Sequence, residues 1–118
     1  MKDYDLVLKF RLRHGLTRSG AAPLVGLDVL GVREVERGMV DLTEAQRQRL
    51  EEGLAGDGPL FRPRGMRPSI FHGLKWRWSS GLDRQQAADL LGMDLVHYYD
   101  AEMNGKLWRI LLRRPGRT

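Results

Sequence analysis

Cysteine is absent from this chain, and proline is scarce, at 5 residues in 118. Without cysteine there is neither a disulfide framework nor a thiolate metal site. No apolar run approaches the ~18 residues of a membrane span. The opening "MKDYDLVLKF" lacks the unbroken apolar core of a signal peptide. The chain therefore reads as soluble and cytoplasmic, with no membrane partner. Signs of catalysis are also missing. His14, His72 and His97 are scattered, and no nucleophile–base spacing, metal-ligand cluster or glycine-rich phosphate loop is present. These absences predict a protein that is not an enzyme and holds no metal or cofactor.

What is present is a repetition. "LKFRLRHGLTRSGAAPLVGLD", residues 8–28, returns 66 residues later as "LKWRWSSGLDRQQAADLLGMD", residues 74–94. Without a gap the two agree at Leu8/Leu74, Lys9/Lys75, Arg11/Arg77, Gly15/Gly81, Leu16/Leu82, Arg18/Arg84, Ala21/Ala87, Ala22/Ala88, Leu24/Leu90, Gly26/Gly92 and Asp28/Asp94. A chain of 118 residues is one compact domain or two of under ~60 residues each. Units that small bury only about 60% of the surface their unfolded chains expose. Two copies that pack together or share a helix are thus favoured over two beads on a string. The expected division is a first unit over residues 1–56, a linker over 57–72 and a second unit with a basic tail over 73–118.

Charge divides along the same line. Residues 1–58 carry 9 Lys+Arg against 10 Asp+Glu, and residues 59–118 carry 11 against 5, for a whole-chain net charge of +5. This asymmetry predicts a polyanion partner for the C-terminal half. Small Arg-rich domains are common, which is the plainer account of the same bias.

Local signals give each copy the same layout. Asp83 with Gln86 makes a capping-box pattern, and Ala87, Leu90 and Leu91 follow at the spacing of one apolar helical face. Gly92 suits a left-handed helix end, and Asp94 caps a second helix whose inward positions are Tyr98 and Ala101. In the first copy Thr17 caps a helix through Val25, Gly26 turns, and Asp28 caps the next helix, which stops at Gly38. Pro23 predicts that the earlier helix is short or kinked. The segments "LKFRLR" and "LKWRW" alternate like strands, but each two-helix unit needs a third element over its apolar face, so they are read as helices. Thr43 with Gln46 opens a further helix with Ala45, Leu50 and Leu54 inward, and "KLWRILLRR" is its short counterpart. The expectation is an all-α chain: two tandem helix-turn-helix units of three to four short helices each.

With these residues in place the chain resembles the Cro/phage-repressor-like (XRE) helix-turn-helix family. The first copy carries the resemblance in Phe10-Arg11, Gly15-Leu16-Thr17, Ala22, Leu24-Val25-Gly26-Leu27, Asp28 and Val35-Glu36-Arg37-Gly38. The second carries it in Trp76-Arg77, Gly81-Leu82-Asp83, Ala88, Leu90-Leu91-Gly92-Met93, Asp94 and Ala101-Glu102-Met103-Asn104. The resemblance covers about 35 residues of each copy, as a tandem pair unusual for that family. It implies that Arg11 with Glu36, and Arg77 with Glu102, are buried structural ion pairs joining the first helix to the recognition helix.

It also implies double-stranded DNA as partner. Phosphate contacts would come from the helix N-termini at Arg18, Ser19, Arg84 and Gln85. Base contacts would come from the start of each recognition helix: Val29, Leu30 and Arg33 in the first, Leu95, Val96, His97 and Tyr99 in the second. Arg62, Arg64 and Arg67, on a proline-stiffened segment, suit either a minor groove or a solvated connector. The second copy, with basic linker and tail, is expected to dominate affinity. Only Arg33 among the base-facing residues is a bidentate reader, while Glu34 and Asp100 repel phosphate. The residues therefore keep two functions open. One is a sequence-specific bacterial or phage transcriptional regulator or repressor, as monomer or homodimer. The other is a protein-interaction adaptor, an antiactivator or inhibitor that binds a regulator or polymerase through apolar recognition helices.

Overall fold

A computed structural model of the protein describes residues 1–56 and 58–113. Among them the regular structure is all α-helical. The order is α1 (Asp3–His14), α2 (Arg18–Val25), α3 (Val29–Glu36), α4 (Glu44–Gly53), α5 (Pro68–Ser79), α6 (Arg84–Leu91), α7 (Leu95–Asn104) and α8 (Lys106–Leu112). The chain forms two compact units, Met1–Gly65 and Met66–Thr118, each with four helices.

The alternating segments are helical because their basic residues do not all face water. In α1 Leu8, Phe10 and Leu12 are buried, but so is Arg11 between them. The strand reading requires polar residues out, and Arg11 is in. Of the expected linker 57–72, the described residues 58–72 are not all free of the units. Phe61 N–H donates to the Leu12 carbonyl at 2.6 Å within the first unit, and α5 begins at Pro68. Proline at the first helical position has its φ preset and lacks only an N–H that would have no partner there. Gly and Pro content alone marks it as a breaker.

Each helix-turn-helix is closed by side-chain caps. Thr17 accepts from the Gly20 amide at 3.1 Å and Asp28 from the Gly31 amide at 2.6 Å. Asp83 and Gln86 satisfy one another's backbone amides at 2.8 and 2.9 Å. Gly26 and Gly92 end α2 and α6 at φ 80° and 68°, the left-handed region a side chain resists, which fixes a three-residue turn before α3 and α7. Pro23 does not shorten α2, which has the same 8 residues as α6. The backbone acceptor it deprives is that of Ser19, an exposed residue.

In the first unit Leu6, Val7, Phe10, Ala22, Val25, Val32, Val35, Leu42 and Leu50 form the core. In the second, Ala87, Ala88, Tyr98, Ala101, Leu107 and Leu111 do, with Trp76, Leu82, Leu91, Met93 and Trp108 against them. Two inward assignments are corrected. Leu90 is 52% exposed because α6 buries Ala87 and Ala88 instead. Ala45 also faces solvent, while Leu42, just before the cap, takes the inner position. The fourth helices rest on glycines. A Cβ on Gly53 of α4 would stand 2.5 Å from the Phe10 ring, and one on Gly73 of α5 would stand 3.3 Å from Leu107 of α8.

Candidate functional site

Each third helix is held by a buried charge cluster. In the first unit the Glu36 carboxylate accepts from Arg11 Nη1 at 2.8 Å and Arg18 Nε at 2.9 Å. In the second the Glu102 carboxylate accepts from Arg77 Nε at 2.7 Å and Arg84 Nε at 3.0 Å. Arg11 and Arg77 also donate to the carbonyls of Leu16 and Leu82, at 3.1 and 3.2 Å, and so tie the loop before the second helix to the same point. Tyr98 adds a hydroxyl donor to Glu102 at 2.8 Å. Burial alone would raise the Glu102 carboxyl, but Arg77 and Arg84 with their hydrogen-bonding neighbours outweigh it and hold it below its ordinary value. Burial first, then the Glu102 charge, pushes the Tyr98 phenol upward.

This geometry corrects the expected phosphate anchors. Arg84 is 4% exposed and Arg18 is paired from the side, so both guanidiniums serve the scaffold. A carboxylate with two oxygens in an apolar surround binds two guanidiniums more readily than it leaves one oxygen bare. Arg11/Arg77, Arg18/Arg84 and Glu36/Glu102 all recur at the 66-residue offset, which marks them as a set without saying what Arg18 and Arg84 face. Ser19 and Gln85 do lie exposed at the starts of α2 and α6, though Gln85 donates to Asp89 at 2.9 Å.

The recognition-helix positions are largely open to solvent. Val29, Leu30 and Arg33 are exposed on α3, and Leu95, Val96 and His97 on α7. His97 is drawn to Asp94, whose carboxylate accepts from its backbone amide at 2.8 Å and contacts its ring Nδ1 at 2.5 Å. Those two contacts hold the Asp94 carboxyl below its ordinary value. Tyr99 does not project as expected of a base reader. It is half-buried, with the Arg84 guanidinium 4.9 Å over its ring. Leu24 and Leu90, at matched places on α2 and α6, are about half exposed and extend the apolar surface. The exposed side chains flanking Leu95 and Val96 include Asp89, Asp94 and Asp100. The second unit's third helix therefore presents an apolar and acidic face, not a basic one.

Of the arginines between the units' helices, Arg62 and Arg64 are exposed. Arg67 caps the start of α5 and donates to the Asn104 carbonyl at 3.4 Å, so it is engaged within the second unit. The basic tail beyond Arg113 lies outside the described residues. No group of His, Asp or Glu suited to a metal occurs among the described residues. His14 contacts the Gly53 carbonyl at 3.0 Å, and the His72 ring lies 5.3 Å from that of Trp108. Among the described residues no helix is long and apolar enough to cross a membrane. No family model, curated protein or solved structure matches the chain.

Proposed function

We propose that the protein is a small helix-turn-helix regulator that binds duplex DNA, with α3 of the first unit as its reading helix. The resemblance of both copies to the XRE family motivates the reading. The observation that carries it is the open leading face of α3: Val29, Leu30 and Arg33 stand exposed on a helix whose other side buries Val32, Val35 and Glu36. Arg33 has the planar fork that matches guanine in the major groove, and Val29 and Leu30 suit thymine methyls. Arg37 is exposed at the end of α3, and Arg49 reaches the Leu24 carbonyl at 3.5 Å beside the turn. With Ser19 at the start of α2, these supply phosphate-facing groups on one unit. The second unit is less suited to that role, because Arg84 at the start of α6 is buried and the exposed charges from α6 to α7 are acidic.

The test is a titration of labelled duplexes, selected from random sequence, at two salt concentrations. The wild-type affinity should fall linearly with log salt concentration. Arg33→Ala should lose about 1–3 kcal/mol on the preferred site and much less on others. A chain without sequence preference, or an Arg33→Ala variant equal to wild type, would remove α3 as a reader. The adaptor reading is favoured by a separate observation, the acid-edged apolar face of α7.

A further inference from the structure

We infer that the corner between α6 and α7 is a docking surface for a basic amphipathic helix of a partner protein. Leu90 on the last turn of α6 and Leu95 and Val96 on the first turn of α7 are 52%, 42% and 70% exposed. Nothing in the fold of the second unit requires them to be apolar, since the core there is complete with Ala87, Ala88, Tyr98 and Ala101. Leucine and valine at such positions mark a contact surface when they gather at one place.

Charge identifies the occupant. From residue 84 to 104 the charged side chains are Arg84, Asp89, Asp94, Asp100 and Glu102, with His97 as the one imidazole. Arg84 and Glu102 are buried against each other, which leaves Asp89, Asp94 and Asp100 as the exposed charges. An apolar surface edged by three carboxylates, on a chain with net charge +5, is a local inversion of the molecule's sign. Duplex DNA and anionic lipid are repelled by it. A second copy docked symmetrically on the same corner would set carboxylates against carboxylates. A helix with an apolar stripe and flanking Lys or Arg satisfies both features, by burying the three aliphatic side chains and pairing the acids at the rim.

The matched corner of the first unit sharpens the assignment. Leu24, Val29 and Leu30 are exposed there too, but Pro23 stands where the second unit has Asp89, and Arg33 where it has Tyr99. Asp28 and Glu34 keep two of the three acids at the places of Asp94 and Asp100, but the first corner lacks the third and adds the Arg33 cation, so the basic helix should prefer the second unit. The proposed docking residues Leu90, Leu95 and Val96 lie outside the α3 reading face, so the two readings can fail separately.

The experiment uses the full chain and two short helical peptides with leucine at i, i+3, i+4 and i+7, one with lysine and one with glutamate at the remaining positions. Binding is followed by amide chemical shifts, and the state of the chain alone by sedimentation. The lysine peptide should bind and shift amides of α6 and α7, while the glutamate peptide should not. Val96→Ser should weaken the lysine peptide at least about tenfold, a loss of the size expected for a buried anchor. The Asp89→Lys/Asp100→Lys double variant should exchange the preference in favour of the glutamate peptide. Met39→Ser, at an exposed position of the first unit, should leave both affinities unchanged. All of these side chains are exposed, so the variants should retain the fold, which circular dichroism verifies. The inference is overturned if the lysine peptide binds Val96→Ser or the charge-reversed variant as it binds wild type. Shifts confined to the first unit would overturn it too, as would a chain that self-associates and becomes monomeric on Val96→Ser, showing a second copy as the occupant.

Discussion

The first unit joins its third and fourth helices by residues 37–43, whereas the second joins them through Gly105 alone. Up to that point the two copies run in register. After it, α4 packs against α1 and α2, while α8 packs against α5 and α7. The charge clusters diverge as well. Arg18 keeps 31% of its side chain exposed, and Arg84 keeps 4%. Tyr99 and Met103 are responsible, since the Tyr99 ring lies 4.9 Å from the Arg84 guanidinium and the Met103 sulfur 3.9 Å from its Nη2. The matching residues of the first unit are Arg33 and Arg37, and cations do not close over another cation. A shared framework is thus sealed in one unit and left open in the other. The open one leaves Arg18 partly solvated while still paired with Glu36.

The widest separation between the units should come from removing the central carboxylate. Glu102→Ala leaves Arg77 and Arg84 buried without a counter-charge and should destabilise the second unit by about 3–5 kcal/mol. Glu36→Ala should lose less, because Arg18 can turn to water. Hydrogen exchange on the full chain reads α1–α4 and α5–α8 separately; equal losses would break the comparison. Next in size is Gly53→Ala, whose methyl would press into the buried Phe10 ring and should cost about 1–3 kcal/mol by overpacking. Gly73→Ala would meet the buried Leu107 less closely, at 3.3 Å, and should cost less, as chemical denaturation of the two variants would reveal.

Tyr98→Phe should cost about 1.5 kcal/mol by deleting a donor to a charged acceptor. It would bring the second cluster closer to the first, where Val32 occupies the matching place. An unchanged midpoint would mean that Arg77 and Arg84 already satisfy Glu102. The smallest effect concerns acid. Asp3 accepts from Arg47 Nε at 2.9 Å and from the Leu42 amide at 2.9 Å, joining α1 to α4. The Arg47 hydrogen bond is the main reason its carboxyl lies below the ordinary value. A depressed folded pKa gives stability that is present above the unfolded Asp value near ~4 and is lost as pH falls through the folded one. Asp3→Asn should therefore weaken α1 and α4 at neutral pH and flatten the acid limb of the first unit. A variant whose acid profile overlays wild type would show that another carboxylate sets that limb.

Much of the fold was legible in the residues. The 66-residue echo, the caps at Thr17, Asp28, Thr43, Asp83 and Asp94, and the glycines at 26 and 92 act within a turn of themselves, so their consequences follow from local sequence. The four-helix content of each unit follows as well, because every short amphipathic helix needs cover. Less legible was which polar residues turn inward. Arg11 and Arg77 lie in stretches whose alternation imitates a strand, and their burial depends on Glu36 and Glu102, 25 residues away. Whether Arg18 and Arg84 face phosphate or carboxylate is likewise undecided by spacing, since the N-terminus of a helix suits both. Tertiary packing alone decided it, by setting the last turn of the third helix beside the first turn of the second. The same packing exposed Leu24 and Leu90, because alanines at 21, 22, 87 and 88 already fill the space between helices. A sequence records which side chains are apolar or charged and how far apart they stand. Which of them run out of room inside is a property of the assembled volume.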